Sequence, residues 1–270
     1  MTKKNILITG GTGIIGNILK QELNKDYNIS ILDKIDSSDS NSFVGDISDF
    51  NSIQESFKNQ DVVIHLAADR RSHGEWDSIM KNNIEGTYNI FEAAKKNGIK
   101  RIIFASSNHA TGGFYIVPPW SDVFNGNFDK VPPNYKLINE KDRIKPDGYY
   151  GVSKAFGEAL GSYYSDFHNI SSIHLRIGWV ISDDDPTFSS ESLSLWLSHK
   201  DLAQITRKSV EAPESLKYGV FYATSDNYWK IFSIEKAKKI LDYKPSDNSG
   251  KVITYNKEKF EKEGSSELDN

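Results

Sequence analysis

Two side chains near the middle of the chain are spaced for proton transfer. In "YYGVSK" (149–154), Tyr150 and Lys154 lie four residues apart, so on a helix they share one face. A free tyrosine, with a pKa of about 10, is a poor base at neutral pH. An ammonium group beside it favours the phenolate by about 1–3 units, which brings it within range of general base catalysis. Taken alone, the stretch also reads as an exposed helix start. The choice depends on what surrounds it.

The surroundings alternate strand and helix. Apolar runs at 5–9, 28–33, 42–46, 61–68 and 100–107 read as strands, with helical periodicity at 14–26, 49–60 and 75–98 between them. Asp49 or Ser48 caps the second helix and Gly98 stops the third. Strands apolar on both faces, alternating with helices, imply an α/β fold: a Rossmann-type doubly wound parallel sheet covered on both sides. Residues 108–148 break the rhythm with proline, glycine and asparagine, as a functional or mobile loop does. Helices follow at 150–168, 192–213 and 233–243, and strands at 171–180 and 218–225.

"TGGTGIIG" (9–16) joins the first strand to the first helix. Gly10 can make the tight turn, Gly13 lets the backbone approach a pyrophosphate, and Gly16 lets helix and strand pack closely. The amides of Gly10, Thr12, Gly13, Ile14 and Ile15 would face the phosphates, helped by the helix dipole. Asp33 ends the second strand, 17 residues beyond Gly16. A carboxylate there accepts both adenosine ribose hydroxyls and repels a 2′-phosphate, which favours NAD over NADP, although Lys34 beside it weakens that preference. Asp46 and Ile47 could hold the adenine ring, Asp46 could cap a helix, and both roles could hold at once. Leu66, Ala67 and Ala68 in "HLAA" keep the end of the fourth strand small where the cofactor would cross. His65 reads as a buried, satisfied side chain.

Bulk properties exclude several classes. A net charge of -4, with 26% charged residues, leaves no basic footprint for nucleic acid. With no cysteine there is no disulfide, thiolate chemistry or cysteine metal site. No apolar run approaches a signal peptide or the roughly 18 residues of a membrane span. The expectation is a soluble, cytoplasmic protein with no membrane partner.

In order, "TGGTGIIG", Asp33, "GDI", "HLAA", "NNIEGT", "FASS" and "YGVSK" span residues 5 to 154. Together they resemble an extended short-chain dehydrogenase/reductase. "SSNH" (106–109) and "SHKD" (198–201) resemble uronate dehydrogenases and the related archaeal NAD-dependent glucose-6-phosphate dehydrogenases. The 108–148 segment is longer than in uronate dehydrogenases and falls where a sugar would bind. The resemblance implies a catalytic set of Ser107, Tyr150 and Lys154. Tyr150 takes the proton of an anomeric hydroxyl, hydride passes to NAD, and a lactone forms without a metal. Ser107 steadies the reacting oxygen, while Lys154 lowers the tyrosine pKa and holds the nicotinamide ribose. It also implies that Asn108 and His109 bind sugar hydroxyls and that Arg176, in "LRIG", grips a carboxylate or a phosphate.

Plainer alternatives stay open: a solvated histidine in a turn for His109, and an ion pair with a neighbouring helix for Arg176. Ser72 could touch substrate. Arg70 and Arg71 either add charge for a phosphate or form a solvated basic loop. Asn83 is grouped with the cofactor contacts, where its amide would support the active-site helix. On this reading residues 1–180 form the NAD-binding domain, 181–255 a small substrate-binding portion interleaved with the sheet, and 256–270 a flexible tail. The expected activity is NAD-dependent oxidation of an anionic hexose, a uronate or a hexose 6-phosphate, by a possible homodimer pairing through two long helices. The competing readings are a sugar-nucleotide epimerase or dehydratase with tightly bound NAD, and an NAD-sensing regulator without chemistry.

Overall fold

In the computed structural model, which describes residues 3–37, 39–71 and 74–254, the alternation becomes one sheet of seven parallel strands. They are β1 (Asn5–Thr9), β2 (Asn28–Asp33), β3 (Ser42–Val44), β4 (Val62–His65), β5 (Arg101–Ser107), β6 (Ser171–Ile177) and β7 (Tyr218–Ala223). Their order is β3-β2-β1-β4-β5-β6-β7. The order reverses between β1 and β4, and at such a switch point the strand ends open a crevice for ligands. The expected tail, 256–270, lies outside the described residues.

The helices are α1 (Ile14–Leu23), α2 (Phe50–Ile53), α3 (Trp76–Ile79), α4 (Gly86–Lys96), α5 (Trp120–Phe124), α6 (Tyr149–His168), α7 (Ser190–Leu195), α8 (His199–Glu211) and α9 (Glu235–Leu241). Side chains alternate across a strand, so each inner strand feeds two cores. Ile6 and Ile8 of β1 pack with Leu19 of α1 and Leu202 and Ile205 of α8. Leu7 joins Ile53 of α2, Ile90 and Phe91 of α4, and Tyr164 of α6. Asp49 is the N-cap of α2, its carboxylate accepting from the Asn51 amide. None of the described helices is long and apolar enough to cross a membrane.

The structure corrects three expectations. The helix read at 192–213 is two helices. Trp179 intervenes, donating its amide to Leu195 O (2.7 Å) and accepting from the Leu197 amide (2.9 Å), and Ser198 then caps α8 anew. The helix read at 75–98 is continuous from Trp76 to Lys96 but widens into a π turn over Met80–Glu85. The 108–148 segment is packed rather than loose: Tyr115, Val123 and Ile138 are buried in the core, and Ile138 bridges to Phe232.

Two histidines are buried among the strands. His65 is hydrogen bonded to Thr9 Oγ1 (2.8 Å) and Thr87 Oγ1 (3.1 Å), and His174 to Ser172 Oγ (2.8 Å). Burial, helped by the Lys154 charge, pulls His65 down to about 3. Burial pulls His174 to about 4, with Glu158 opposing and Arg176 assisting. Between these values and the ordinary 6.5, the unfolded chain binds protons that the folded one refuses. Stability therefore rises with pH in that window and is lost on acidification. The unfolding free energy from urea titration is expected to fall as the pH drops below about 6.5, by up to about 2.7 kcal/mol per pH unit for the pair. A midpoint unchanged between pH 7.5 and 5.5 would contradict this burial.

Candidate active site

The turn after β1 is built by close approach. Gly10 has φ +72, and a Cβ on it would lie 2.8 Å from the Ala67 amide nitrogen. A Cβ on Gly16 would lie 2.6 Å from Gly10 O, so α1 and the turn touch through backbone. Gly13 caps α1 with no side-chain hydrogen bond, which leaves the helix N-terminus open to an anion.

In front of this turn a cavity of about 830 Å³ runs along the switch point. Of the expected cofactor contacts, Gly10, Thr12, Gly13, Ile14, Ile15, Asp33, Ile47, Leu66, Ala67 and Ala68 line it. Asp33 Oδ2 accepts from the Thr12 amide (3.0 Å) and hydroxyl (2.7 Å), tying the glycine turn to the end of β2. Lys34 donates to Asn82 Oδ1 (2.8 Å) and pairs with Asp46 at 3.3 Å. A carboxylate at the strand end, open helix amides and an apolar wall at Ile47 fit a dinucleotide.

Two of the expected cofactor contacts stand outside the cavity lining. Asp46 does not line the cavity, although Gly45 and Ile47 do. Its carboxylate accepts from the Ser48 amide (2.9 Å) and hydroxyl (2.8 Å), closing a turn before α2. Asn83 does not line it either. It is buried in the π turn, accepting from the Asp69 amide (2.7 Å) and donating to Asp69 O (2.9 Å) and Ser153 Oγ (3.0 Å). Its amide thus fastens the loop after β4 to α6.

At the inner end Ser107, Asn108, His109, Tyr150 and Lys154 line the same cavity. Ser107 Oγ donates to Asn108 Oδ1 (3.1 Å), and Asn108 Nδ2 donates to the Tyr115 hydroxyl (2.7 Å). The Lys154 ammonium is 4% exposed and donates to Ala105 O (2.8 Å). It stands 5.2 Å from the centre of the Tyr150 ring. Burial pulls its pKa down to about 7. A lysine so poised gains charge readily when a negative group forms beside it.

Arg176 is not in the cavity. It is 3% exposed, and its Nε and Nη2 donate to the two oxygens of Glu158 at 2.8 Å each, with Nη1 donating to the Tyr222 hydroxyl (3.1 Å). Glu158 also accepts from Ser106 Oγ (2.6 Å). The guanidinium expected to grip substrate is consumed by a buried pair that joins α6 to β6. Glu158 was missed, although it follows Tyr150 and Lys154 at four-residue steps along one helix face. Arg71 is held by Asp69, with Nε to Oδ1 at 2.9 Å. Arg70 lines the cavity and has no hydrogen-bond or ion-pair partner among the described residues. Ser72 lies outside the described residues.

A model of the NAD dependent epimerase/dehydratase family matches residues 6–210. An NAD-dependent glucose-6-phosphate dehydrogenase of Haloferax volcanii is 34% identical over 253 residues, covering 90% of this chain and 94% of its own. An L-arabinose 1-dehydrogenase (NAD(P)(+)) of the same organism is 33% identical over 259 residues, covering 92% and 98%. A solved structure of a mutant uronate dehydrogenase from Agrobacterium tumefaciens, complexed with NAD, is similar with a TM-score of 0.77 at 26% identity, covering 100% of this chain and 91% of that one.

The buried pair gives a direct test. Arg176→Ala leaves Glu158 as an unpaired buried charge, so it is expected to cost about 3–5 kcal/mol of stability in urea unfolding. An unchanged urea midpoint together with weakened sugar binding would return Arg176 to the substrate.

Proposed function

We propose that this chain, which belongs to the NAD dependent epimerase/dehydratase family, oxidises the anomeric hydroxyl of an anionic hexose to its lactone with NAD as acceptor. The observation that carries this reading is the single cavity shared by the glycine turn, Asp33, Ser107, Tyr150 and Lys154. NAD, when bound, supplies the acceptor for the hydride that leaves the anomeric carbon. Tyr150 removes the hydroxyl proton, so the electron pair of the broken O–H bond forms the carbonyl as the hydride leaves the anomeric carbon. Ser107 turns its one hydroxyl hydrogen from Asn108 to the reacting oxygen while negative charge builds on it, its own oxygen held by the His109 amide (3.2 Å). Lys154 stabilises the phenolate and reaches the nicotinamide ribose.

Asp33 sets the preference for NAD over NADP, since its carboxylate repels a 2′-phosphate. Lys34 is drawn towards Asp46 and Asn82 and does not offset it. The anionic group of the sugar meets Arg70, because Arg176 is committed to Glu158. That commitment also favours a second reading, in which the substrate is a neutral sugar, as in the name of the arabinose relative. The homodimer would use the exposed Trp76, Met80 and Tyr88 together with Tyr149, Val152, Tyr163 and Phe167 on α6, an apolar surface that two copies can cover.

Three measurements follow. Incubation with NAD and a uronate, glucose 6-phosphate or arabinose is expected to produce NADH with one of the acids or phosphates. Turnover of arabinose alone would select the neutral reading, and no net NADH with any sugar would contradict a dehydrogenase. Tyr150→Phe is expected to lower kcat about 10²- to 10⁴-fold while NADH still binds, and full turnover in that variant would remove Tyr150 as base. Arg70→Ala is expected to raise KM for the anionic sugar by about tenfold or more, losing an interaction of about 1.5–3 kcal/mol. An unchanged KM would remove Arg70 from the site.

A further inference from the structure

We propose that Asp147 is a positioning residue that acts through His109, fixing the imidazole in one tautomer so that its other nitrogen accepts a hydrogen bond from a sugar hydroxyl. The proposal rests on the sugar reading of the inner cavity. Asp147 Oδ2 lies 2.7 Å from His109 Nδ1, and both side chains are partly buried, 18% exposed for His109 and 27% for Asp147. A carboxylate has no hydrogen to give, so Nδ1 must carry it. A neutral ring then accepts at Nε2. His109 lines the cavity and Asp147 does not, so the carboxylate works from behind the ring. The ring stands edge-on to Tyr150, with centres 5.6 Å apart and planes at 73°.

The frame around the pair is tight. The Gly113 amide donates to Lys145 O (2.7 Å) and the Lys145 amide to Ala110 O (3.1 Å). A Cβ on Gly112 would strike the Asp147 carboxylate, and one on Gly151 would strike His109 O. The 3-10 turn Asn108–Ala110 and the start of α6 are therefore sewn together with the pair between them. The long 108–148 segment leaves at one partner and returns at the other. Its closure sets where the imidazole stands relative to the proposed base.

A double-mutant cycle separates this role from a merely structural one. Asp147→Asn is expected to lower kcat/KM for the sugar roughly 10- to 100-fold, as a misplaced contact group does, with NADH affinity and melting temperature unchanged. In a His109→Ala background the same substitution is expected to change kcat/KM by less than about twofold, because residues acting as a unit are not additive. Equal losses in both backgrounds would overturn the proposal. So would a fall in melting temperature or NADH affinity that accounts for the loss. Nitrogen-15 shifts of the His109 ring judge the pair without any activity. The Nδ1–H tautomer is expected in the protein and its loss in Asp147→Asn, whereas an Nε2–H tautomer in the unmutated protein would sink the idea. If that tautomer is present but no sugar is turned over, the functional reading fails and not the pair.

Discussion

An ammonium group taken out of water organises the centre of this molecule. Lys154 is 4% exposed and donates to one backbone carbonyl, Ala105 O. Burying a cation with so few partners is unfavourable, which is why its pKa falls to about 7. The arrangement that permits it is the close fit of α6 on the sheet. Side chains at Gly151, Gly157 and Gly161 would strike His109 O, the Phe104 ring and His174, so the helix lies against the strands through bare backbone. Only at that separation does the Lys154 stem reach back to β5 beside Tyr150.

The same helix carries its own counterweight. One turn beyond Lys154, Glu158 is buried and fully engaged by Arg176 and Ser106. A buried pair of this kind adds little net stability over an apolar one but strongly resists the loss of either member. Its effect is to hold α6 against β5 and β6 in one register, and Asn83 does the like on the other flank through Ser153. The face of the helix that carries Tyr150 and Lys154 is thus framed by Glu158, Arg176 and Asn83, which lie outside the cavity. This also moves the question of substrate charge to the loop after β4, where Arg70 faces the cavity.

The fold was legible because parallel strands buried on both faces leave unmistakable apolar runs, and because glycine at 10 and 16 answers a steric demand that no other residue meets. That Ser107 belongs with the Tyr150–Lys154 pair came from the resemblance, and all three line one cavity. Pairings between distant side chains were less accessible. A guanidinium suits a substrate carboxylate and a glutamate equally well, so nothing in "LRIG" told Arg176 from a ligand-binding arginine. Asp147 was hidden for the same reason: its partner lies across a segment whose closure no periodicity reports. The break at Trp196 is set by Trp179, a tertiary contact that overrides local helical spacing.

The decisive measurement is an ultraviolet difference titration of the NAD-bound protein, comparing it with Tyr150→Phe and Lys154→Met. The account predicts one phenolate that forms well below the ordinary tyrosine range. That transition should vanish in the first variant and return to about 10 in the second. A titration indistinguishable among the three proteins would contradict the claim that the buried ammonium makes Tyr150 acidic.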